Sequence, residues 1–197
     1  MNLIERVKNI LVTPKQEWEV IASKEEPHVK VFTSYLLILV LIPTIAAFIS
    51  WGLIGQKILF VRVVGIELGV RQAIIQFVSI IAGAYTIAFV INALAPNFGA
   101  QKNFNKAFQL AAYCYTAVCV AGILTMIPGL RWLATLGGLY SLYLLYVGLK
   151  PMMKVTDDKA TGYFIVSLLC MIVVGVLLSV IMGALIGGMK SYGSLSL

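Results

Sequence analysis

The chain has 197 residues, of which 60% are hydrophobic and only 12% are charged, and its formal net charge is +7. A soluble domain usually carries about 25% charged residues, so this composition excludes an ordinary soluble protein. The apolar residues come in blocks of about 20, the length that crosses a hydrocarbon core about 30 Å thick. The basic residues are scattered between the blocks, which argues against a nucleic-acid-binding patch. The sequence therefore predicts an all-α integral membrane protein.

The first 30 residues form a polar arm before the first apolar block. Charged residues, Arg6 among them, occupy one side of a predicted helix, and apolar residues recur at helical spacing on the other: Leu3, Ile4, Val7, Ile10 and Leu11. This amphipathic pattern fits a helix lying in the membrane interface, with Trp18 at headgroup depth. A short helix packed on the protein's own inner face has the same pattern, and both alternatives stay open.

Five apolar spans are predicted within a membrane domain of residues 31–189. A short outer tail, residues 190–197, follows this domain. Pro43 predicts a kink in the first span, and the Pro128-Gly129 dipeptide predicts a tight turn between the third and the fourth. Charged residues interrupt segment 55–71, which predicts an interfacial hairpin on the outer side. The spans are placed at about 31–54, 72–95, 106–127, 130–149 and 162–189.

The orientation follows from the lysine and arginine residues in the loops, which are more frequent on the cytoplasmic side of membrane proteins. With a cytoplasmic N-terminus, ten of them lie inside and five outside. We therefore expect a multi-pass protein of the cell inner membrane, with its N-terminus in the cytoplasm and its C-terminus outside.

The sequence contains no nucleotide-binding, zinc-protease or serine-hydrolase motif. The only histidine, His28, lies in the segment KEEPHVK, where a mobile connector would make a poor metal cage. We expect no catalytic residue, no cofactor and no metal. The interiors of the predicted spans also lack Asp, Glu, Lys, Arg and His, which disfavours an ion-coupled transporter.

Two sets of small residues predict close helix packing. In the fifth span a small residue recurs every four positions, and in the fourth span three small residues share one face. The partner of the fifth-span stripe is another helix of the same chain or a second copy. These residues are Gly175, Ser179, Gly183 and Gly187, and Gly137, Ser141 and Gly148.

Neutral polar side chains remain within the spans. They predict an internal polar seam or, as the sharper alternative, a path for an uncharged or lipid-like molecule. The candidates are Tyr113, Tyr115, Asn92, Tyr140 and Tyr143.

Three stretches resemble the Yip1 domain family: TPKQEWEVIA (13–22), FNKAFQLAAYCYTAVCVAGILTMIPGL (104–130) and LYSLYLLYVGLKPMMKVTDDKA (139–160). The resemblance implies a five-span bundle with a cytoplasmic N-terminus. Many members have proline where Ala117 stands here, and eukaryotic members carry a DLYGP-like motif where this chain has EEPHVKVFTSY. Those relatives bind Rab GTPases in vesicle traffic. Because the motif is missing, a bacterial source and no Rab-type partner are expected.

The sequence thus favours a non-enzymatic scaffold or adaptor whose partners are membrane lipids and a second copy or another membrane protein. The alternative is a small transporter or lipid-handling protein for an uncharged or zwitterionic substrate. A continuous cavity among the tyrosines would favour this alternative, and a densely packed interior would argue against it.

Overall fold

The computed structural model describes residues 2–58, 61–127 and 129–193, and the side-chain surroundings of these residues apart from 57, 58, 61 and 178–193. Two short helices come first, and five long helices follow, with a two-stranded hairpin between the first and second of the long ones. The elements are α1 (Leu3–Val12), α2 (Pro14–Ala22), α3 (His28–Ile54), β1 (Gln56–Ile58), β2 (Val61–Val63), α4 (Ile66–Leu94), α5 (Phe104–Ala121), α6 (Leu133–Met153) and α7 (Asp157–Gly193).

The five long helices are each long and apolar enough to cross a membrane, judged over the described residues. The predicted fold class, an all-α bundle of five membrane-spanning helices with an amphipathic N-terminal arm, is confirmed. We call the end of the bundle that holds α1 and α2 the arm side. The opposite end, with β1 and β2, is the far side.

Helix α5 lies at the centre of the bundle and is the most buried of the five long helices. It packs against α4 and α6, while α3 packs against α4, and α7 contacts α4 and α6. Its small residues, among them Ala107, Ala111 and Ala117, are almost fully buried. Small side chains bring helix backbones close together, which is how membrane helices gain packing contacts in lipid.

Segment 55–71 contains a short β-hairpin followed by the first turns of α4. Strands β1 and β2 pair antiparallel, with Gln56 opposite Val63. Helix α4 begins at Ile66, so that Glu67 lies in its first turn, where an acidic group complements the positive end of the helix dipole. Helices α3 and α4 cross closely on this far side, since a Cβ added at Gly69 would lie 2.6 Å from the Cα of Gly52.

The connections between the last three helices are short. A 3-10 turn (Gly122–Met126) extends α5, and Gly129, with φ +93°, lies in the turn that leads to α6. Pro128, the other residue of the predicted turn, lies outside the described residues. Lys154 ends α6 in the left-handed conformation, and α7 then begins with two aspartates in its first turn.

Candidate functional site

Helices α1 and α2 form a helical hairpin that a buried ion pair holds together. The Arg6 guanidinium donates to the Glu17 carboxylate through Nη1, and Asn9 Nδ2 donates to the second Glu17 oxygen at 3.0 Å. The two charged side chains are only 11% and 5% exposed. A buried charge is tolerated when a partner and further hydrogen bonds satisfy it, and both oxygens of Glu17 are satisfied here.

This hairpin is docked on the long helices through aromatic contacts. The Arg6 guanidinium lies over the ring of Tyr113, 5.5 Å from its centroid. The Tyr113 ring contacts the ring of Tyr35 at 4.6 Å between centroids, and the Tyr35 hydroxyl lies 2.7 Å from the Thr116 hydroxyl. We call Arg6, Glu17, Tyr35, Tyr113 and Thr116 the buried polar cluster.

The buried polar cluster lies well inside the bundle. Tyr113 is nine residues from the start of α5, which corresponds to about 13 Å of helix. Tyr35, Tyr113 and Thr116 are each at most 4% exposed, so the cluster is densely packed. The arm therefore brings a charged pair to the depth of the spans, although the spans themselves were predicted to lack internal charges.

Trp18 of α2 is fully buried against α5 and α6. A Cβ added at Gly148 would lie 2.5 Å from Trp18 Cε2 and 2.6 Å from Leu110 Cδ1. The missing side chain at Gly148 is therefore what allows the indole to fit. Trp18 Nε1 has no hydrogen-bond partner among the described residues. In the structure, the arm helices therefore pack on the long helices of the protein itself, which is one of the two alternatives given for the arm.

The small residues of α6 face α5. A Cβ at Gly137 would overlap Ala121 and Ala117, and the Ser141 hydroxyl donates to the Cys114 carbonyl. Gly137 and Ser141 let α6 pack closely against α5. Gly148, at the arm-side end of the same face, leaves space for the Trp18 side chain of α2.

The five residues of the predicted polar seam are spread over several contacts. Tyr113 belongs to the buried polar cluster, and the Tyr140 hydroxyl donates to the Leu11 carbonyl at 2.8 Å. Tyr143 is 42% exposed and lies beside Tyr140, with 5.5 Å between ring centroids. Tyr115 lies against Gly83 of α4, and the buried Asn92 Oδ1 has no partner among the described residues.

The small-residue stripe of the fifth span falls only partly within the described side chains. A Cβ added at Gly175 would meet no atom within 4 Å. The surroundings of Ser179, Gly183 and Gly187 lie outside the described residues, so their packing stays a prediction.

The connection from α2 to α3 is fixed to the start of α5. The His28 backbone N–H donates to Asn105 Oδ1 at 3.0 Å, and Lys106 Nζ donates to the carbonyls of Ala22 and Lys24 at 2.7 and 2.8 Å. The His28 ring packs edge-on against Phe104. His28 is thus part of the docking contact. In the part of the chain that the structure describes, no group of three or more His, Cys, Asp or Glu residues could hold a metal ion.

Sequence reasoning missed the Arg6–Glu17 pair. Arg6 is one turn away from both Leu3 and Ile10, so the buried face of α1 includes Arg6 and Ile10 while Ile4 is 71% exposed. A signal was present, since Arg6 and Glu17 lie on either side of a proline at which a hairpin could form. The pattern alone does not tell which face of α1 is buried.

The fold and this site define a multi-pass helical membrane protein with a docked N-terminal arm. The Yip1 domain family model matches residues 8–193, so the chain belongs to the Yip1 domain family.

Two curated relatives are similar to the chain. The chain is 25% identical over 156 residues to the Inner membrane protein YohC of Escherichia coli strain K12, which covers 76% of this chain and 80% of that protein. The YohC protein of Escherichia coli O6:H1 matches with the same identity and coverage. No solved structure matches the chain. The relatives and the five apolar helices support an inner-membrane, multi-pass protein.

Proposed function

We propose that this protein is a non-enzymatic scaffold or adaptor in the inner membrane, whose arm side faces the cytoplasm and binds a second membrane protein. The observation that carries the proposal is the docking of α1 and α2 on the long helices. Docking holds the outer surface of the arm in a fixed position, and a fixed surface binds a partner without the cost of ordering it.

The outer surface of the arm has the mixed character of a contact surface. Ile4 and Val12 are 71% and 68% exposed, and exposed charges of both signs lie on the same two helices: Glu5, Lys8, Lys15 and Glu19. Apolar side chains among such charges fit a membrane-bound partner that presents apolar groups and complementary charges near its own inner face. The excess of basic loop residues on the arm side, ten against five, supports the cytoplasmic orientation.

The state of the charged groups favours a role without catalysis. A general base needs a carboxylate or imidazole that can reach a substrate proton. Glu17 is occupied by Arg6 and Asn9, and the His28 Nδ1 lies 2.9 Å from Asn105 Oδ1. These groups therefore hold the arm in place, and this favours binding over chemistry.

The alternative, transport or lipid handling, requires a path among the tyrosines. Where such a path would start on the arm side, Trp18, Tyr35 and Tyr113 fill the space and are at most 4% exposed. A path there would need the arm to leave its site, which would expose the Arg6–Glu17 pair. The dense packing on the arm side favours the scaffold.

Photo-crosslinking in native membranes tests the proposal. A crosslinking amino acid is placed at Ile4 or at Val12, and a matched control is placed at Gln101, which is exposed on the arm side but lies off the arm. We expect one stoichiometric protein to be captured from Ile4 and Val12 and not from Gln101. Capture of lipid alone at the arm positions would contradict the scaffold and favour lipid handling.

A substitution distinguishes loss of the surface from loss of the fold. Ile4→Glu changes an exposed side chain, whereas deletion of residues 1–27 would uncover the buried faces of α5 and α6. The Ile4→Glu variant should no longer capture the partner, while the melting temperature of the variant should equal that of the parent. Unchanged capture from Val12 in this variant would show that the Ile4 side chain is not part of the binding surface.

A further inference from the structure

A partly polar cavity lies on the far side, away from the arm. It has a volume of about 230 Å³, and a second cavity of about 430 Å³ adjoins it and shares Thr125 and Arg131. A single water needs about 10–15 Å³, so there is room for a larger group. The lining of the first cavity includes Ser50, Trp51, Gln72, Gln76, Thr125 and Arg131.

A chain of hydrogen bonds orients the cationic end of this cavity. Arg131 Nη1 donates to Gln56 Oε1 at 3.2 Å, Gln56 Nε2 donates to the Ser50 hydroxyl, and Ser50 donates to the Thr125 carbonyl at 2.9 Å. The Arg131 guanidinium also lies over the Trp51 ring, 5.8 Å from its centroid. A guanidinium has five N–H groups, and the hydrogen bonds within the described residues use one of them.

Two glutamines on α4 extend the polar lining towards the middle of the membrane. Gln72 and Gln76 are one helical turn apart and both line the cavity. Neither side chain makes a hydrogen bond to another described residue. Gln76 is ten residues from the start of α4, or about 15 Å of helix. An amide at this depth without a partner is unfavourable, so it needs water or a polar ligand.

The charge of the lining selects the ligand. Arg131 and, in the adjoining cavity, Arg62 are the charged residues among the described lining residues, and no acidic residue is among them. Guanidinium and amide N–H groups together recognise the oxygens of phosphate or carboxylate groups. The Trp51 and Pro43 side chains supply an apolar wall beside these donors.

We propose that this far-side cavity binds a phosphate group, with Arg131 as the cationic contact and Gln72 and Gln76 as amide donors. The phosphate belongs to the headgroup of an anionic phospholipid or to free inorganic phosphate. The proposal is independent of the arm and its partner, because the lining residues of this cavity belong to the other end of the bundle.

Three variants test the site. Arg131→Gln removes the charge, and Gln76→Glu places a carboxylate beside the expected phosphate. Arg71→Gln is the matched control, because Arg71 is also a basic residue of the far side but does not line either cavity. The melting temperature of each purified variant is measured first, so that a change in binding is compared between folded proteins.

Two probes distinguish the sources of the phosphate. Native mass spectrometry measures the retention of phosphatidylglycerol against phosphatidylethanolamine, and isothermal titration calorimetry measures the binding of inorganic phosphate to the purified protein. We expect Arg131→Gln and Gln76→Glu to weaken binding of one probe about tenfold or more, with Arg71→Gln unchanged. If the cavity variants weaken only the binding of phosphatidylglycerol, the ligand is the lipid headgroup. If they weaken the binding of inorganic phosphate, the ligand is the free anion.

Two results would overturn the proposal. One is that neither probe binds, or that the control weakens binding as much as the two cavity variants. The other is that the parent retains phosphatidylethanolamine as strongly as phosphatidylglycerol and does not bind inorganic phosphate, since Arg131 would then not be selecting a negatively charged group.

Discussion

Replacing Glu17 by glutamine should destabilise the protein by about 3 kcal/mol. The substitution keeps the shape of the side chain but leaves the Arg6 guanidinium, which is 11% exposed, without its carboxylate. Removing one partner of a buried ion pair typically costs about 3–5 kcal/mol. The loss cannot exceed the free energy with which the arm is docked, because the arm can detach and return Arg6 to water. We therefore expect the lower end of this range.

The double variant Arg6→Met/Glu17→Leu tells whether the lost stability comes from an unpaired charge. Both charges are then absent and the apolar volume is kept, so the double variant should be more stable than either single one. Stability is measured by reversible unfolding in mixed micelles with increasing SDS, followed by circular dichroism.

An exposed ion pair provides the control for this experiment. Lys30 and Glu26 also pair, but their side chains are 63% and 31% exposed, and such pairs contribute at most about 1 kcal/mol. Glu26→Gln should therefore lie within about 0.5 kcal/mol of the parent. A loss in Glu17→Gln no larger than that of Glu26→Gln would refute the burial of the Arg6–Glu17 pair in the protein.

Two further predictions concern small residues. Gly148→Leu should lower stability by about 1–3 kcal/mol, because the new side chain would overlap Trp18. Gly138→Leu is the control and should leave the melting temperature unchanged, because a Cβ there meets nothing within 4 Å. An equal loss of stability in both variants would contradict the contact between Trp18 and Gly148. Replacing Gly183 and Gly187 together by leucine should disrupt close packing of the fifth span. Equal stability and equal oligomeric mass of this variant and the parent in nanodiscs would remove both proposed roles of the stripe.

The sequence predicts the membrane bundle well because the number of spans depends on the length and spacing of apolar blocks. Charges such as Glu67 and Asp157 are less informative about where a helix begins, since both lie in the first turns of helices rather than in loops. Acidic groups there complement the helix dipole, and the helices extend beyond the purely apolar blocks.

The docking of the arm is not predictable from periodicity. An amphipathic helix fits a lipid surface and a protein surface equally well, and the two differ only in what covers its apolar face. The burial of Arg6 depends on Glu17 and Tyr113, which are 11 and 107 residues away in the sequence. Contacts of this kind appear only when the long helices are assembled.

The candidate site was also predicted only in part from the sequence. A face of small residues on α6 was predicted from the spacing of Gly137, Ser141 and Gly148, but its neighbours were not. Two different elements use it, since α5 lies against Gly137 and Ser141, and Trp18 of α2 fills the space at Gly148. Helical spacing identifies a face, whereas the identity of its partners depends on the three-dimensional arrangement.

Cysteine labelling in native membranes tests most directly whether the arm is docked. Ile10 is fully buried and Lys8, two residues away on the same helix, is exposed. With a membrane-impermeant maleimide applied from the arm side, Lys8→Cys should be labelled rapidly and Ile10→Cys should stay unlabelled until the protein is unfolded. Adding Glu17→Gln should raise the labelling of Ile10→Cys. Equal labelling at both positions in the folded protein would contradict the docked arm and, with it, the fixed surface on which the scaffold depends.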